Sequence, residues 1–186
     1  MKRLIILCGA SGTGKTTIQN YLKERYQMPR VITHTTRAMR RGEQNGVDYY
    51  FETDESFAKN HYFESVNYDG KKYGSSKEAL EKAWEKHDFV TLVVDTAGAI
   101  KYVKQLGKKV AVLHVQVQDI TKLKKRMLKR GDQLAVIEKR INSKESQRDR
   151  QIPEILKPYS YIVNNDNWDD TKRSVDVIIQ KIKCKK

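Results

Sequence analysis

The sequence lacks any apolar run approaching the roughly 20 residues needed to cross a bilayer, so no membrane span is expected. It has two cysteines, Cys8 and Cys184, at opposite ends of the chain. That usage offers neither a disulfide framework nor a metal-spaced pair, and free thiols in a cytoplasmic protein are the expectation. No stretch is of low complexity and nothing repeats. Acidic residues are few, 23 against 37 lysines and arginines, which leaves a formal charge of +14. Such a balance suits a cleft for two anionic nucleotides or contact with nucleic acid. The sequence has no arginine-rich arm, no RNP-type aromatic motif and no zinc-finger spacing. The charge alone does not require nucleic acid, and none is expected as a partner. Lys181, Lys183, Lys185 and Lys186 read as a solvated helix end and tail.

At 186 residues the chain suits one α/β domain with small insertions. Its organising stretch is Leu4 to Thr17. Leu4-Ile5-Ile6-Leu7-Cys8 reads as a strand buried on both faces, and Gly9-Ala10-Ser11-Gly12-Thr13-Gly14-Lys15-Thr16 fits G-x-x-x-x-G-K-[ST]. From Thr16 the pattern turns helical, with Ile18, Tyr21 and Leu22 spaced to face a sheet. Glycines let backbone N–H groups curl round phosphate oxygens, and the helix N-terminus adds partial positive charge. Lys15 is placed to reach the β- and γ-phosphates, and the Thr16 hydroxyl to hold Mg²⁺. The chain therefore reads as binding a nucleoside triphosphate. The opening Met1-Lys2-Arg3 is not expected to begin a cleaved leader, because cleavage would remove this loop.

Further along, Arg30 to Thr33 reads as a short second strand and His34 to Asp48 as a polar loop. Val47–Glu52 and His61–Tyr68 have the aromatic and β-branched content of strands. Asp69-Gly70 predicts a hairpin turn, so residues 33–75 form a small β-rich lobe. Ser76 caps a helix to Lys86, and Phe89–Asp95 is a buried strand ending in a carboxylate. Asp95 is placed either near the metal or as N-cap of a helix from Ala97 to Leu106, and the two roles are compatible. A strand at Val110–Val115 precedes a basic helix from about Asp119 to Arg130 and a polar helix from about Leu134 to Asp149. Tyr159–Val163 is a last strand, and Thr171–Ile182 a closing helix. Strands alternating with helices imply a mostly parallel sheet with right-handed crossovers.

Three features narrow the chemistry, each with a plainer alternative. Thr33 to Glu43 gathers hydroxyls and guanidiniums of the kind that grip a phosphate monoester, or it is a solvated loop. Glu64 lies among Tyr62, Phe63 and Val66, where a carboxylate should have a specific partner unless the position is exposed. The basic helices from Lys122 to Arg150 offer arginines to developing negative charge, although a solvated face accounts for most of their lysines.

In order, these pieces resemble the guanylate kinase family over nearly the whole chain. The family pattern T-T-R-x-P-R-x-G-E-x-x-G-x-D-Y-x-F stands here as Thr35 to Phe51, with Met39 in place of the proline. Tyr62-Phe63-Glu64 and then Gly70-Lys71-Lys72-Tyr73-Gly74-Ser75 resemble F-[IL]-E and Y-G-[ST], and Val163-Asn164-Asn165-Asp166 resembles V-N-D. The resemblance implies a P-loop-type core (about 1–32, 76–125 and 155–186), a GMP-binding lobe (about 33–75) and a helical lid (about 126–150). It implies transfer of phosphate from ATP to GMP with Mg²⁺. Residues 9–17 (Gly9, Ala10, Ser11, Gly12, Thr13, Gly14, Lys15, Thr16 and Thr17), with Asn164 near the adenine, would hold ATP. Thr33, Arg37, Arg40, Glu43, Tyr49 and Tyr73 would serve the GMP phosphate side, while Glu64, Ser75 and Asp95 would read guanine. Lys15, Arg40, Arg126, Arg130 and Arg140 would face the transferring phosphate, and Thr16 and Asp95 the metal. Where the family has D-x-D, this chain has Val93 and only Asp95, and the lid stretch Arg130-Gly131-Asp132-Gln133 is slightly short. ATP and GMP are the expected partners of a monomer or weak dimer. A guanylate-kinase-like interaction module and a related kinase with another acceptor remain the alternatives.

Overall fold

A computed structural model of the chain describes residues 1–68, 70–129 and 131–184. Strand β1 (Arg3–Cys8) lies inside a parallel sheet of order β6-β1-β7-β8, with β6 (Phe89–Val93), β7 (Val110–Gln116) and β8 (Ser160–Asn164). Leu4 through Cys8 are all fully buried because the sheet is covered on both faces. Leu4, Ile6 and Cys8 join Leu80, Trp84, Val90 and Tyr102 under helices α3 (Lys77–Lys86) and α4 (Thr96–Leu106). Ile5 and Leu7 join Ile18, Leu22, Leu113 and Ile179 under α1 (Lys15–Tyr26) and α8 (Trp168–Cys184). Each such buried Leu or Ile contributes about 1.5–3 kcal/mol, and the five buried residues of this one strand anchor two cores.

The lobe is a second sheet of order β3-β2-β5-β4, made of β2 (His34–Thr35), β3 (Tyr50–Phe51), β4 (Tyr62–Tyr68) and β5 (Lys71–Ser76). The hairpin expected between β4 and β5 is present, while Asp69 of its turn lies outside the described residues. A short helix α2 (Asp54–Ala58) follows β3 and is capped by Thr53, whose side chain accepts from Ser56 N–H. Ser76 joins lobe to core. Its hydroxyl oxygen accepts from Ala79 N–H at 3.0 Å and lies 2.8 Å from Nε2 of buried His34, whose Nδ1 lies 2.8 Å from Glu52 Oε1.

Three expectations need correction. Arg30 to Thr33 is not a strand. Val31 N–H donates to Thr91 O and Thr91 N–H to Pro29 O, both at 2.8 Å, after which the chain leaves β6 to begin the lobe at His34–Thr35, inside the expected loop. β-propensity at Val31 and Ile32 yields here to the tertiary path. Val47–Glu52 contracts to Tyr50–Phe51. The helix expected from Leu134 to Asp149 breaks at Ser143, giving α6 (Leu134–Asn142) and α7 (Lys144–Arg148). Ser143 is extended and accepts from Ser146 N–H at 3.1 Å, a local bond that competes with helix continuation. With α5 (Ile120–Lys129), these helices form the lid, which buries a small core of its own from Met127, Ile137 and Ile141.

Ser76→Ala removes the α3 cap and a partner of buried His34. It is expected to lower stability by about 1–3 kcal/mol in urea unfolding, with an unchanged denaturant slope.

Candidate active site

The glycine loop closes on itself through Lys15. The lysine Nζ donates to Gly9 O at 2.7 Å and Ala10 O at 2.8 Å, and Thr13 Oγ1 donates to Ala10 O at 3.0 Å. Burial lowers the Lys15 pKa, while Asp149, Cys8 and Asp95 oppose the fall. Gly14 has φ +96°, and a Cβ there would collide with the Asn165 amide. That amide, itself buried, donates from Nδ2 to Thr13 O at 2.7 Å and accepts from Thr171 Oγ1 at 3.0 Å. Thr16 and Thr17 are exposed on the first turn of α1, in a cleft of about 360 Å³ with Ser11, Gly12 and Lys15. Arg126 lines the same cleft and donates from Nη2 to Asn165 O at 2.7 Å.

Gly9, Ser11 and Lys15 also line a second cleft, of about 430 Å³, with Val93, Asp95, Arg140 and Asp149. Asp95 caps α4, its Oδ1 accepting from Gly98 N–H at 2.7 Å. Its Oδ2 accepts from Arg148 Nη2 at 2.7 Å. Arg140 reaches Asp132 at 3.5 Å, and Arg130 lies outside the described residues. Among the described residues no three His, Cys, Asp or Glu side chains gather to cage a metal. Of the two expected oxygen donors, the Thr16 hydroxyl lies in the first cleft and the Asp95 carboxylate in the second. Hydroxyl and carboxylate oxygens suit a hard cation such as Mg²⁺, which keeps several waters and takes other oxygens from phosphate.

A further pocket begins at a β-bulge. β4 and β5 pair Tyr62 with Ser76 but Glu64 with Ser75, so Phe63 is an extra residue, buried and stacked on Tyr102 at 4.3 Å. The shift sets Glu64 directly across from Ser75. The Glu64 carboxylate lies against Gly98, where a Cβ would strike it. Burial, and then Asp95, raises its pKa, with Lys101 opposing. The Ser75 hydroxyl is buried beside that of Tyr102, and neither makes a hydrogen bond of ordinary geometry. Desolvation pushes the Tyr102 pKa up strongly.

On the lobe, Arg37 is held by Glu43 through two bonds of 3.0 and 2.8 Å, and Glu43 also accepts from Arg40 N–H at 2.7 Å. These donors, Arg37 first, hold the Glu43 carboxyl below the usual range. The Arg37 guanidinium sits 5.6 Å from both the Tyr49 and Phe51 rings, and Tyr49 meets Tyr73 edge-on at 6.2 Å. Thr33 lies beside this group, its carbonyl accepting from Tyr50 N–H.

The structure therefore brings the loop residues, Asp95, Arg126 and Arg140 to two adjoining clefts, Glu64 and Ser75 to one pocket, and Arg37, Glu43, Tyr49 and Tyr73 to one face. Arg40 is exposed, and Asn164 bonds to Gln116 Nε2 at 2.7 Å. The loop itself is touched by the neighbouring Asn165. Sequence reasoning did not single out Asn165, Tyr102, Arg148 or Asp149. Asn165 sat inside a quoted motif, whereas Arg148-Asp149 in a polar run carries no distinguishing signal.

A glycine loop between a buried parallel strand and a helix, faced by a β lobe and a helical lid, defines a P-loop nucleotide kinase fold. A family model described as guanylate kinase matches residues 1–182. Guanylate kinase of Clostridium perfringens (strain 13) is 32% identical over 187 residues, covering 98% of this chain and 84% of the relative. That of Bacillus subtilis (strain 168) is 30% identical over 183 residues, covering 95% and 87%. The crystal structure of guanylate kinase from Anaplasma phagocytophilum shares the fold, with a TM-score of 0.65 at 22% identity, covering 99% of this chain and 87% of that one. The chain belongs to the guanylate kinase family, and it is a kinase.

A carboxyl whose folded pKa lies above its unfolded value loses stability as pH rises from the unfolded pKa, near 4.5, through the folded one. Glu64→Gln removes that loss. Its melting temperature should exceed the parent's at pH 7, and the gap should close as pH falls to about 4.

Proposed function

We propose that this enzyme moves the γ-phosphoryl group of ATP onto GMP in one in-line displacement, assisted by Mg²⁺. The observation that carries the acceptor is the pairing of Glu64 with Ser75 across the bulged hairpin. Guanine presents N1–H and an exocyclic N2–H₂ side by side, and a carboxylate offers two acceptor oxygens with no donor. The Ser75 hydroxyl is free to donate to guanine O6, a contact that the adenine amino group cannot accept. Asp95, one wall further on, suits a remaining amino proton. Arg37, released from Glu43, with Arg40, Tyr49, Tyr73 and Thr33 suits the phosphate of the same nucleotide.

The GMP phosphate has a second pKa near 6 and is largely dianionic at neutral pH, so the reaction needs no general base. The residues instead align two anions and neutralise charge in a loose transition state. Lys15 offers its ammonium at the loop, while Arg126 and Arg140 approach from the lid. Thr16 and Asp95 would hold Mg²⁺, which would supply charge neutralisation at the donor phosphates. Closure of lobe and lid excludes water that would otherwise hydrolyse ATP.

Coupled ADP release across the nucleoside monophosphates tests the acceptor. GMP should exceed AMP, CMP and UMP by orders of magnitude, since sites that demand a hydrogen bond discriminate strongly. Glu64→Ala should erase most of that preference while leaving ATP binding nearly unchanged. Equal rates with AMP, or an intact ranking in Glu64→Ala, overturn the assignment. For the donor, Lys15→Ala should cost on the order of 10²–10³ in turnover without unfolding the protein. A loss within about tenfold, near 1.4 kcal/mol, places the donor elsewhere.

A further inference from the structure

The segment that leaves the lid carries an acid with an unusually fixed position. Asp149 follows α7 and is only 6% exposed. Three donors converge on its Oδ1: Thr96 N–H at 3.2 Å, Thr96 Oγ1 at 2.5 Å and Arg148 Nε at 2.9 Å. His114, also buried, donates from Nε2 to the Asp149 backbone carbonyl at 3.0 Å. The carboxylate is thereby set at the N-terminus of α4, in the cleft lined by Gly9, Lys15, Val93 and Asp95.

That cleft is short of acid where the sheet could have provided it. Val93 ends β6, half-buried, packing on the core beneath α1 and lining the cleft. An isopropyl group neither accepts a hydrogen bond from water nor offsets a cation. Asp95 has one oxygen on the α4 cap and the other on Arg148. Mg²⁺ bound to phosphate keeps several waters, and such waters need outer acceptors to fix them. Glu145 also lines the cleft but is exposed on α7, whereas Asp149 is buried against Thr96 and, with Asp95, opposes the effect of burial on Lys15.

We infer that Asp149 is the buried carboxylate that works beside Asp95 in the donor cleft, a positioning residue that does from the lid exit what β6 cannot do through Val93. It orients the waters around the phosphate-bound Mg²⁺ and balances the Lys15 charge. The inference rests on the donor-site reading above. It also ties that site to the lid, because the segment carrying Asp149 continues directly from α7.

The test is calorimetric titration of ATP into the full chain at graded Mg²⁺, a readout of binding and not of turnover. Asp149→Asn keeps an oxygen for the Thr96 donors and removes the charge. It should raise the Mg²⁺ needed for half-saturation about tenfold, the usual effect of losing an outer-shell partner, with GMP binding and the melting temperature little changed. Val93→Asp in the Asp149→Asn background should restore the parental requirement, a rescue that a purely structural role for Asp149 does not produce. Val93→Asp alone should change little, since the cleft already holds its acid. A folded Asp149→Asn protein with unaltered Mg²⁺ dependence overturns the inference. So does a drop of about tenfold in Val93→Asp alone, which decides the matter even where Asp149→Asn fails to fold. A parent protein that binds no ATP at any Mg²⁺ concentration overturns the donor-site reading itself, and the inference with it.

Discussion

The bond from Asn165 Nδ2 to the Thr13 carbonyl is the constraint on which the rest of the site depends. A phosphate-binding loop is a run of backbone N–H groups with no side chains to hold its shape, so rigidity must come from outside. Here it comes from beyond the far end of the chain's last strand, across 152 positions of sequence. Gly14 is the counterpart of that contact: only a residue without Cβ leaves room for the amide. The same asparagine backbone receives Arg126, and its side chain receives Thr171, so loop, lid and α8 meet on one residue. Strand β1 completes the frame by burying every side chain from Leu4 to Cys8, which fixes where the loop begins.

The excess of positive charge is distributed in two ways. A few cations are engaged in the clefts: Lys15 on loop carbonyls, Arg126 on Asn165, Arg148 between Asp95 and Asp149, and Arg37 on Glu43. Each is held by an internal partner that resembles, in charge or lone pairs, the oxygen of a phosphate. Such pairs keep cations ordered, so less side-chain entropy is lost when an anion arrives. Many others lie on exposed faces, as Lys157 does with Glu154 and Arg173 with Asp170, where ion pairs contribute little to stability but raise the field that draws anions in.

The parallel sheet, the loop, the α3 cap at Ser76 and the β4–β5 hairpin were all legible because each is written locally, as periodicity, glycine spacing or turn chemistry. Resemblance added the grouping of Glu64 with Ser75, which no local pattern contains and which the β4–β5 register places side by side. What was not legible depends on where the chain goes next. Arg30–Thr33 has strand composition, yet it makes two bonds to β6 and turns away. Leu134–Asp149 has helical periodicity through Ser143, yet the serine hydroxyl captures the next turn's N–H and starts a new helix. Arg148 and Asp149 look like solvated residues until that break turns them toward the N-terminus of α4, where Asp149 is buried on Thr96 and Arg148 bridges it to Asp95. The bulge at Phe63 is equally silent in sequence, since it arises from the stacking of Phe63 on Tyr102.

The acceptor pocket is built from choices that a fold optimised for stability alone would reject. A half-buried carboxylate raised by desolvation, two buried hydroxyls without well-formed hydrogen bonds, and a glycine inside α4 each cost free energy in the fold. Gly98 could be alanine for the sake of the helix, but its Cβ would then displace Glu64. Tyr102 could be phenylalanine and keep its stack on Phe63, but the Ser75 hydroxyl would lose its polar neighbour. These costs fall on neighbouring residues of three elements, β4, β5 and α4, and they gather in one pocket. Concentrated frustration of this kind marks a functional pocket, because the polar groups are prearranged for a partner that the folded chain does not contain.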